Sequence, residues 1–148
     1  MKDRRLEDVG LLIVRVGLGL IVFYFGTQKV FGWFGGEGFN GTLGNMARKW
    51  GVGSLWAVLA MAAEFLGGLG LILGLLTRVA AFGVMCAMAV ATFKNVSSLG
   101  LHVIAVGDGP SRIFFPLTLC LLAVGILLMG GGPYSLDQRF WGRARGKW

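Results

Sequence analysis

The stretch 53-GSLWAVLAMAAEFLGGLGLILGLL-76 holds a single ionisable side chain, Glu64, near its middle. About 20 apolar residues suffice for a helix to cross a hydrocarbon core roughly 30 Å thick. Outward from it, residues 11–33, 79–99 and 113–131 are apolar runs of the same kind. Four such runs in one chain predict an all-α integral membrane protein, a four-helix transmembrane bundle. The connections are too short to hold a second folded unit, so residues 1–148 are expected to form a single membrane domain.

Composition agrees. Charged residues make up only 14% of the chain and hydrophobic ones 55%, against roughly 25% charged in an average soluble domain. The 26 glycines fall largely inside the apolar runs, where small residues let helix backbones approach closely. A net charge of +7 suits a nucleic-acid binder, but its distribution does not, because the cations gather at helix ends. With four crossings, Lys2, Arg4, Arg5, Arg78, Arg139, Arg143, Arg145 and Lys147 share one side. Lys29, Arg48, Lys49, Lys94 and Arg112 share the other, and Arg15 lies within the first span. Eight cations against five predict both termini in the cytoplasm by the positive-inside rule. The segment 138–148 interleaves its four cations with Phe140, Trp141 and Trp148. It reads as a membrane-surface anchor drawn to anionic lipid by about 1 kcal/mol per basic residue.

Residues 1–10 are charged, but the apolar run behind them is longer than a signal h-region and lacks a small-residue cleavage site. The first helix is therefore expected to be retained as a signal anchor. Asp3, Glu7 and Asp8 among the early cations argue against a mitochondrial presequence. A bacterial or archaeal plasma membrane is the predicted home.

At 3.6 residues per turn the polar side chains share faces with the small ones. Arg15, Gly19, Val22, Gly26 and Lys29 line one face of the first span, and Ala57, Ala60, Glu64, Gly67, Gly68 and Leu71 one of the second. The third offers Ala80, Gly83, Ala87, Val90 and Lys94; the fourth offers Arg112, Pro116, Leu119, Cys120, Ala123 and Leu127. These faces are expected to point into the bundle, with large aliphatic side chains toward lipid. Cys86 and Cys120 read as small core residues; their depths also permit a disulfide between adjacent helices.

Glu64 is the most informative residue, because an acidic charge at mid-membrane costs roughly 2.5–3.5 kcal/mol on insertion scales. Two roles stay open: a structural ion pair, with Arg15 or Lys29 as the cation, or a neutral carboxyl that accepts a proton during redox chemistry or transport. Arg15 has a further alternative, snorkelling to the interface. On the opposite side from the termini, Gln28, Lys29, Lys94, Asn95, His102, Asp108 and Arg112 gather near helix ends or in the third connection. Gln28, Lys29, Lys94 and His102 are the candidate contacts for an anionic substrate or a quinone headgroup; a solvated loop with interfacial lysines is the other reading. The lone histidine does not make a metal site, which ordinarily needs three or four ligands. Between the first two spans, Leu43, Met46, Ala47 and Trp50 recur at helical spacing beside Arg48 and Lys49. This predicts a short amphipathic segment at the membrane interface, either a linker or a cap over the bundle.

Leu12-Ile13-Val14-Arg15-Val16-Gly17-Leu18-Gly19 followed by Gly26-Thr27-Gln28-Lys29-Val30-Phe31-Gly32 resembles the opening signature of the DoxX family. Ala63-Glu64-Phe65-Leu66-Gly67-Gly68, then Leu73-Gly74-Leu75-Leu76-Thr77-Arg78, is similar to its second-helix signature, and Gly131-Gly132-Pro133-Tyr134-Ser135-Leu136-Asp137 to its terminal motif. The resemblance implies a four-helix membrane protein, in some relatives the membrane part of a thiosulfate:quinone oxidoreductase. It also implies that Arg15, Gln28, Lys29, Glu64 and Arg78 occupy the family's polar motif positions. Two departures stand out: a histidine common before the glycine–glutamine–lysine element is Tyr24 or Phe25 here, and an acidic residue common before the last-helix proline is replaced within Arg112-Ile113-Phe114-Phe115.

Three functions remain from the sequence. One is a membrane subunit of quinone-linked redox chemistry, with Glu64 handling protons. Another is a non-catalytic accessory subunit of a larger membrane complex, and the third a small anion or proton transporter. The chain has no haem-ligand pair, iron–sulfur cysteine cluster, nucleotide loop or flavin fingerprint. No covalent cofactor is therefore expected, and any electron transfer would need quinone or a partner's cofactor. Other membrane subunits or a second copy of the chain are the expected protein partners, and nucleic acid is not.

Overall fold

The structure, a computed structural model, describes residues 2–99 and 109–145. The described chain is helical: α1 (Lys2–Phe31), α2 (Gly38–Trp50), α3 (Ser54–Leu73), α4 (Thr77–Leu99), α5 (Gly109–Met129) and α6 (Leu136–Arg145), with a 3-10 turn at Trp33–Gly35. Four of these helices, α1, α3, α4 and α5, are long and apolar enough to cross a membrane. The short α2 lies between the first two spans, where the amphipathic segment was expected. The first helix begins nine residues ahead of the apolar run, because the charged residues before Leu11 are themselves good helix formers.

The four long helices pack in chain order. α1 lies along α3, α3 along α4 and α4 along α5, while α5 and α1 touch only lightly. A core of Leu18, Val22, Leu71, Val84, Met88, Leu119 and Ile126 joins them. Large apolar side chains elsewhere face away from the protein, as Leu66 and Leu128 do at 61% and 73% exposure. In a spanning bundle that surface meets hydrocarbon.

The predicted inward faces hold on α1 and α3, where Arg15, Gly19, Val22, Gly26, Ala57, Glu64, Gly67, Gly68 and Leu71 are buried. They hold on most of α5, through Pro116, Leu119 and Ala123, although Arg112 is exposed. On α4 the expectation holds only in part: Ala80, Gly83 and Ala87 are half-buried, with Ala80 and Ala87 packed against the core. Thr77, Ala81, Val84 and Met88 are buried, whereas Val90 is 51% exposed. This helix packs between α3 and α5, so its buried surface spreads over two sides. The expected cysteine packing also needs correction for Cys86, which is exposed; Cys120 is half-buried, donates to the Met85 carbonyl at 3.6 Å, and both thiols are free.

Asp137, at the start of α6, fixes the turn between α3 and α4. Its carboxylate accepts from the N–H groups of Leu76 at 2.6 Å and Thr77 at 2.7 Å, and its own N–H donates to Gly74 O at 2.9 Å. Gly74 (φ 68°) ends α3 in the left-handed region, and Leu76 (φ 48°) enters it without glycine's freedom. The carboxylate thus caps α4 from 60 residues away and holds a strained leucine in place. Asp137→Ala should cost about 1–2 kcal/mol, as loss of a helix cap does. The check is a lowered Tm of the detergent-solubilised protein, with Asp137→Asn falling between the two.

Candidate functional site

Glu64 is paired with Lys29. The ammonium donates to both carboxylate oxygens, at 2.5 Å to Oε1 and 2.6 Å to Oε2. Glycines bring the two helices close enough for this: a Cβ on Gly26 would stand 2.7 Å from Phe65 Cα, and one on Gly68 would stand 2.5 Å from Phe23 N. Stacking of Phe23 on Phe65 (centroids 5.1 Å apart) completes the interface. The carboxylate is almost fully enclosed, at 3% exposure, while the lysine retains 30%.

An Arg15–Glu64 pair does not form. Along α1 the arginine lies 14 residues before Lys29, about 21 Å at 1.5 Å per residue. Nor does Arg15 snorkel, being 1% exposed. Its guanidinium donates to the carbonyls of Gly131 and Tyr134, and Asp137 acts on it electrostatically. Buried beside the Gly131 turn is Thr77, whose hydroxyl, like Arg15 Nε, has no hydrogen-bond partner among the described residues. The bundle therefore carries two polar centres: a clamp on the chain's last turn at one end, and the Lys29–Glu64 pair toward the other.

That pair forms part of the wall of a cavity of about 460 Å³ between the four spans. Phe25, Phe115, Met88 and Leu119 make it mainly apolar; Asn95 and Arg112 add polar groups. Phe25 meets Phe115 edge to face at 5.6 Å, bridging α1 and α5 where those helices otherwise touch little. Asn95 Nδ2 donates to Arg112 O at 2.8 Å, tying α4 to α5 at the same level. A second cavity, about 260 Å³, lies where α2 covers the end of α1. Gln28, Lys29, Glu37, Thr42, Asn45 and Lys49 line it together with the apolar Met46.

Of the residues selected from sequence, Lys29 and Glu64 meet directly. Gln28 lines the second cavity beside Lys29 but not the first. Lys94 is half-buried, one residue from the wall that Asn95 supplies. His102 and Asp108 lie outside the described residues, as do the tail side chains from Trp141 to Trp148. Glu37, Thr42 and Asn45 were not singled out from sequence; Thr42, 6% exposed and donating to Lys29 O at 3.3 Å, is the contact that seats α2 on the site. Only its place on the inner face of an amphipathic helix marks it. Among the described residues, no group of three or more His, Cys, Asp and Glu gathers as metal ligands would.

The family model described as DoxX matches residues 10–95, the stretch that carries Arg15, both partners of the ion pair and the whole of α2. The chain is 27% identical over 137 residues to the inner membrane protein YqjF of Escherichia coli (strain K12), an alignment covering 91% of this chain and 95% of that protein. No solved structure matches it.

Proposed function

Since this chain belongs to the DoxX family, as a multi-pass membrane protein with an inner-membrane relative, we propose that it binds a quinone as a membrane subunit of a redox assembly. The observation that carries this reading is the Lys29–Glu64 pair set in the wall of a 460 Å³ apolar cavity. Small-molecule sites are typically about 300–1,000 Å³, apolar and equipped with a few polar groups. A quinone ring offers carbonyl acceptors on a flat apolar body. Lys29 has three N–H donors, of which two engage Glu64; the third is available to a carbonyl. Phe25 and Phe115 supply aromatic walls, and the lightly packed α1–α5 side gives an isoprenoid tail a way into the lipid.

In this reading Glu64 carries a proton to or from the bound ring, and the electrons come from a redox cofactor on a partner membrane subunit. We place the protein in a bacterial or archaeal plasma membrane with both termini in the cytoplasm, so that the pair lies nearer the outer face. The basic tail then lies against anionic lipid of the inner leaflet.

The test is extraction of the native particle in mild detergent, followed by mass determination, lipid extraction and an absorption spectrum. Stoichiometric quinone is expected. Lys29→Met should weaken retention about tenfold or more, as loss of a hydrogen bond from a charged donor does (about 1.5–3 kcal/mol). Glu64→Gln should retain the ring but lose turnover. A large particle without quinone, whose cofactors all belong to other chains, would instead identify a non-catalytic accessory subunit.

A further inference from the structure

Lys29 is the residue common to both cavities. On one side it joins Glu64 in the apolar chamber. On the other it closes the floor of the cavity under α2, beside buried Thr42 and half-buried Gln28 and Asn45. Glu37 and Lys49, both exposed, stand at the rim of that second cavity. Polar side chains therefore run from the protein surface to a carboxylate that is otherwise enclosed. The space of about 260 Å³ has room for several waters, each needing about 30 Å³ in the liquid, and the lining provides the two to four polar partners that each requires.

We propose that the cavity beneath α2 is an aqueous vestibule that brings protons from one membrane face to Glu64 through Lys29. The proposal rests on the reading of Glu64 as a proton carrier and adds the path. The step balances. A Lys29 Nζ–H bond facing Glu64 breaks as a carboxyl O–H bond forms, and the neutral amine then takes a proton from hydronium in the vestibule, releasing water. Glu64 is left neutral and Lys29 positively charged, with one proton taken from the aqueous side. The reverse sequence returns it. α2 is then more than an interfacial linker: Thr42, Asn45 and Lys49, with Met46 among them, form one wall of the path, and Thr42 keeps it seated on α1.

The experiment reads water access with a thiol probe. In a full-length chain with Cys86 and Cys120 changed to serine, Lys29→Cys is reconstituted into liposomes and exposed to a membrane-impermeant trimethylammonium methanethiosulfonate reagent. Its labelling rate should lie within about tenfold of that of Lys49→Cys at the rim, since reagent access governs the reaction. Adding Asn45→Phe to narrow the vestibule should slow Lys29→Cys by about tenfold or more while leaving Lys49→Cys unchanged. Phe115→Cys, on the α5 wall of the apolar chamber, is the slow reference. If Lys29→Cys does not fold with Glu64 unpartnered, Gln28→Cys reads the same cavity with the ion pair intact. Labelling as slow as the reference, or labelling that Asn45→Phe does not slow, overturns the vestibule. Quinone retention is scored separately, so an empty quinone site and a dry vestibule are distinguishable results.

Discussion

Gly26→Val is expected to abolish recovery of a folded, monodisperse protein, whereas Gly17→Ala, on the same helix, should leave it intact. A Cβ at position 26 would stand 2.7 Å from Phe65 Cα and 2.8 Å from Phe65 N. Carbon atoms in contact prefer about 3.5–4.0 Å, and the obstacle is backbone, which cannot swing aside as a side-chain end can. α1 and α3 would have to move apart by about 1 Å. The same interface contains Gly68 and Gly19, whose added Cβ atoms would stand 2.5 Å from Phe23 N and 2.9 Å from Gly68 O. Separation at one point therefore loosens the entire contact and draws Lys29 away from Glu64. Overpacking usually costs about 1–3 kcal/mol where neighbours adjust; here two backbones must shift, so Gly26→Ala should reach the top of that range and valine exceed it. At Gly17 nothing stands within 4 Å of an added Cβ, and alanine there should gain up to about 1 kcal/mol in helix propensity. Tm and elution profile of the two variants, measured side by side, check the contrast.

Arg15→Leu should destabilise the opposite end by about 1.5–3 kcal/mol or more, the worth of a hydrogen bond from a charged donor, since two buried carbonyls lose theirs. The guanidinium is the shared donor for the Gly131 and Tyr134 carbonyls and the countercharge near Asp137. Leucine leaves two acceptors without their donor and removes a favourable charge near Asp137, whose carboxylate keeps its two backbone N–H donors. Lysine is no remedy, because a point charge cannot reproduce the planar fork that reaches two carbonyls. The expected signature is a lowered Tm together with tryptic cleavage after Arg139, which the intact clamp resists. On the proposed quinone-binding reading, retention should change far less than in Lys29→Met, since the clamp and the pair are about 21 Å apart along α1. Equal loss of retention in both variants would mean that the two ends do not act separately.

The spans, the buried faces of α1 and α3 and most of that of α5 were legible, because small residues and the rare ionisable ones coincide on them. Gly19, Gly26, Gly67 and Gly68 are small where backbones touch, and Arg15, Lys29 and Glu64 are polar where lipid is absent. α4 was only partly legible for the complementary reason. Ala80, Ala81, Gly83, Ala87, Ala89 and Ala91 lie all around it, so a search for the small face has several equivalent answers. A helix packed on two sides has no single stripe to find. The choice of Lys29 over Arg15 as the partner of Glu64 depends on how α1 and α3 stand along the membrane normal. No periodicity within one helix encodes that offset; the glycine contacts set it. The clamp was out of reach altogether, since Arg15 and Tyr134 are 119 residues apart in sequence and carbonyl acceptors leave no mark in a sequence.

The Arg15 clamp also sets an order of events during synthesis. The first helix enters the membrane carrying a cation whose carbonyl partners are translated 116 and 119 residues later. At about 5–20 residues per second, roughly 6–24 s pass before they exist. Through that interval the arginine must lean on water, lipid phosphate or the translocon, since a cation left in hydrocarbon is costly. The nascent chain thus carries a timer: Arg15 finds its carbonyl partners only after the Gly131–Asp137 turn has arrived. Translation arrested before that turn should leave Arg15 unclamped and α1 open to membrane proteases.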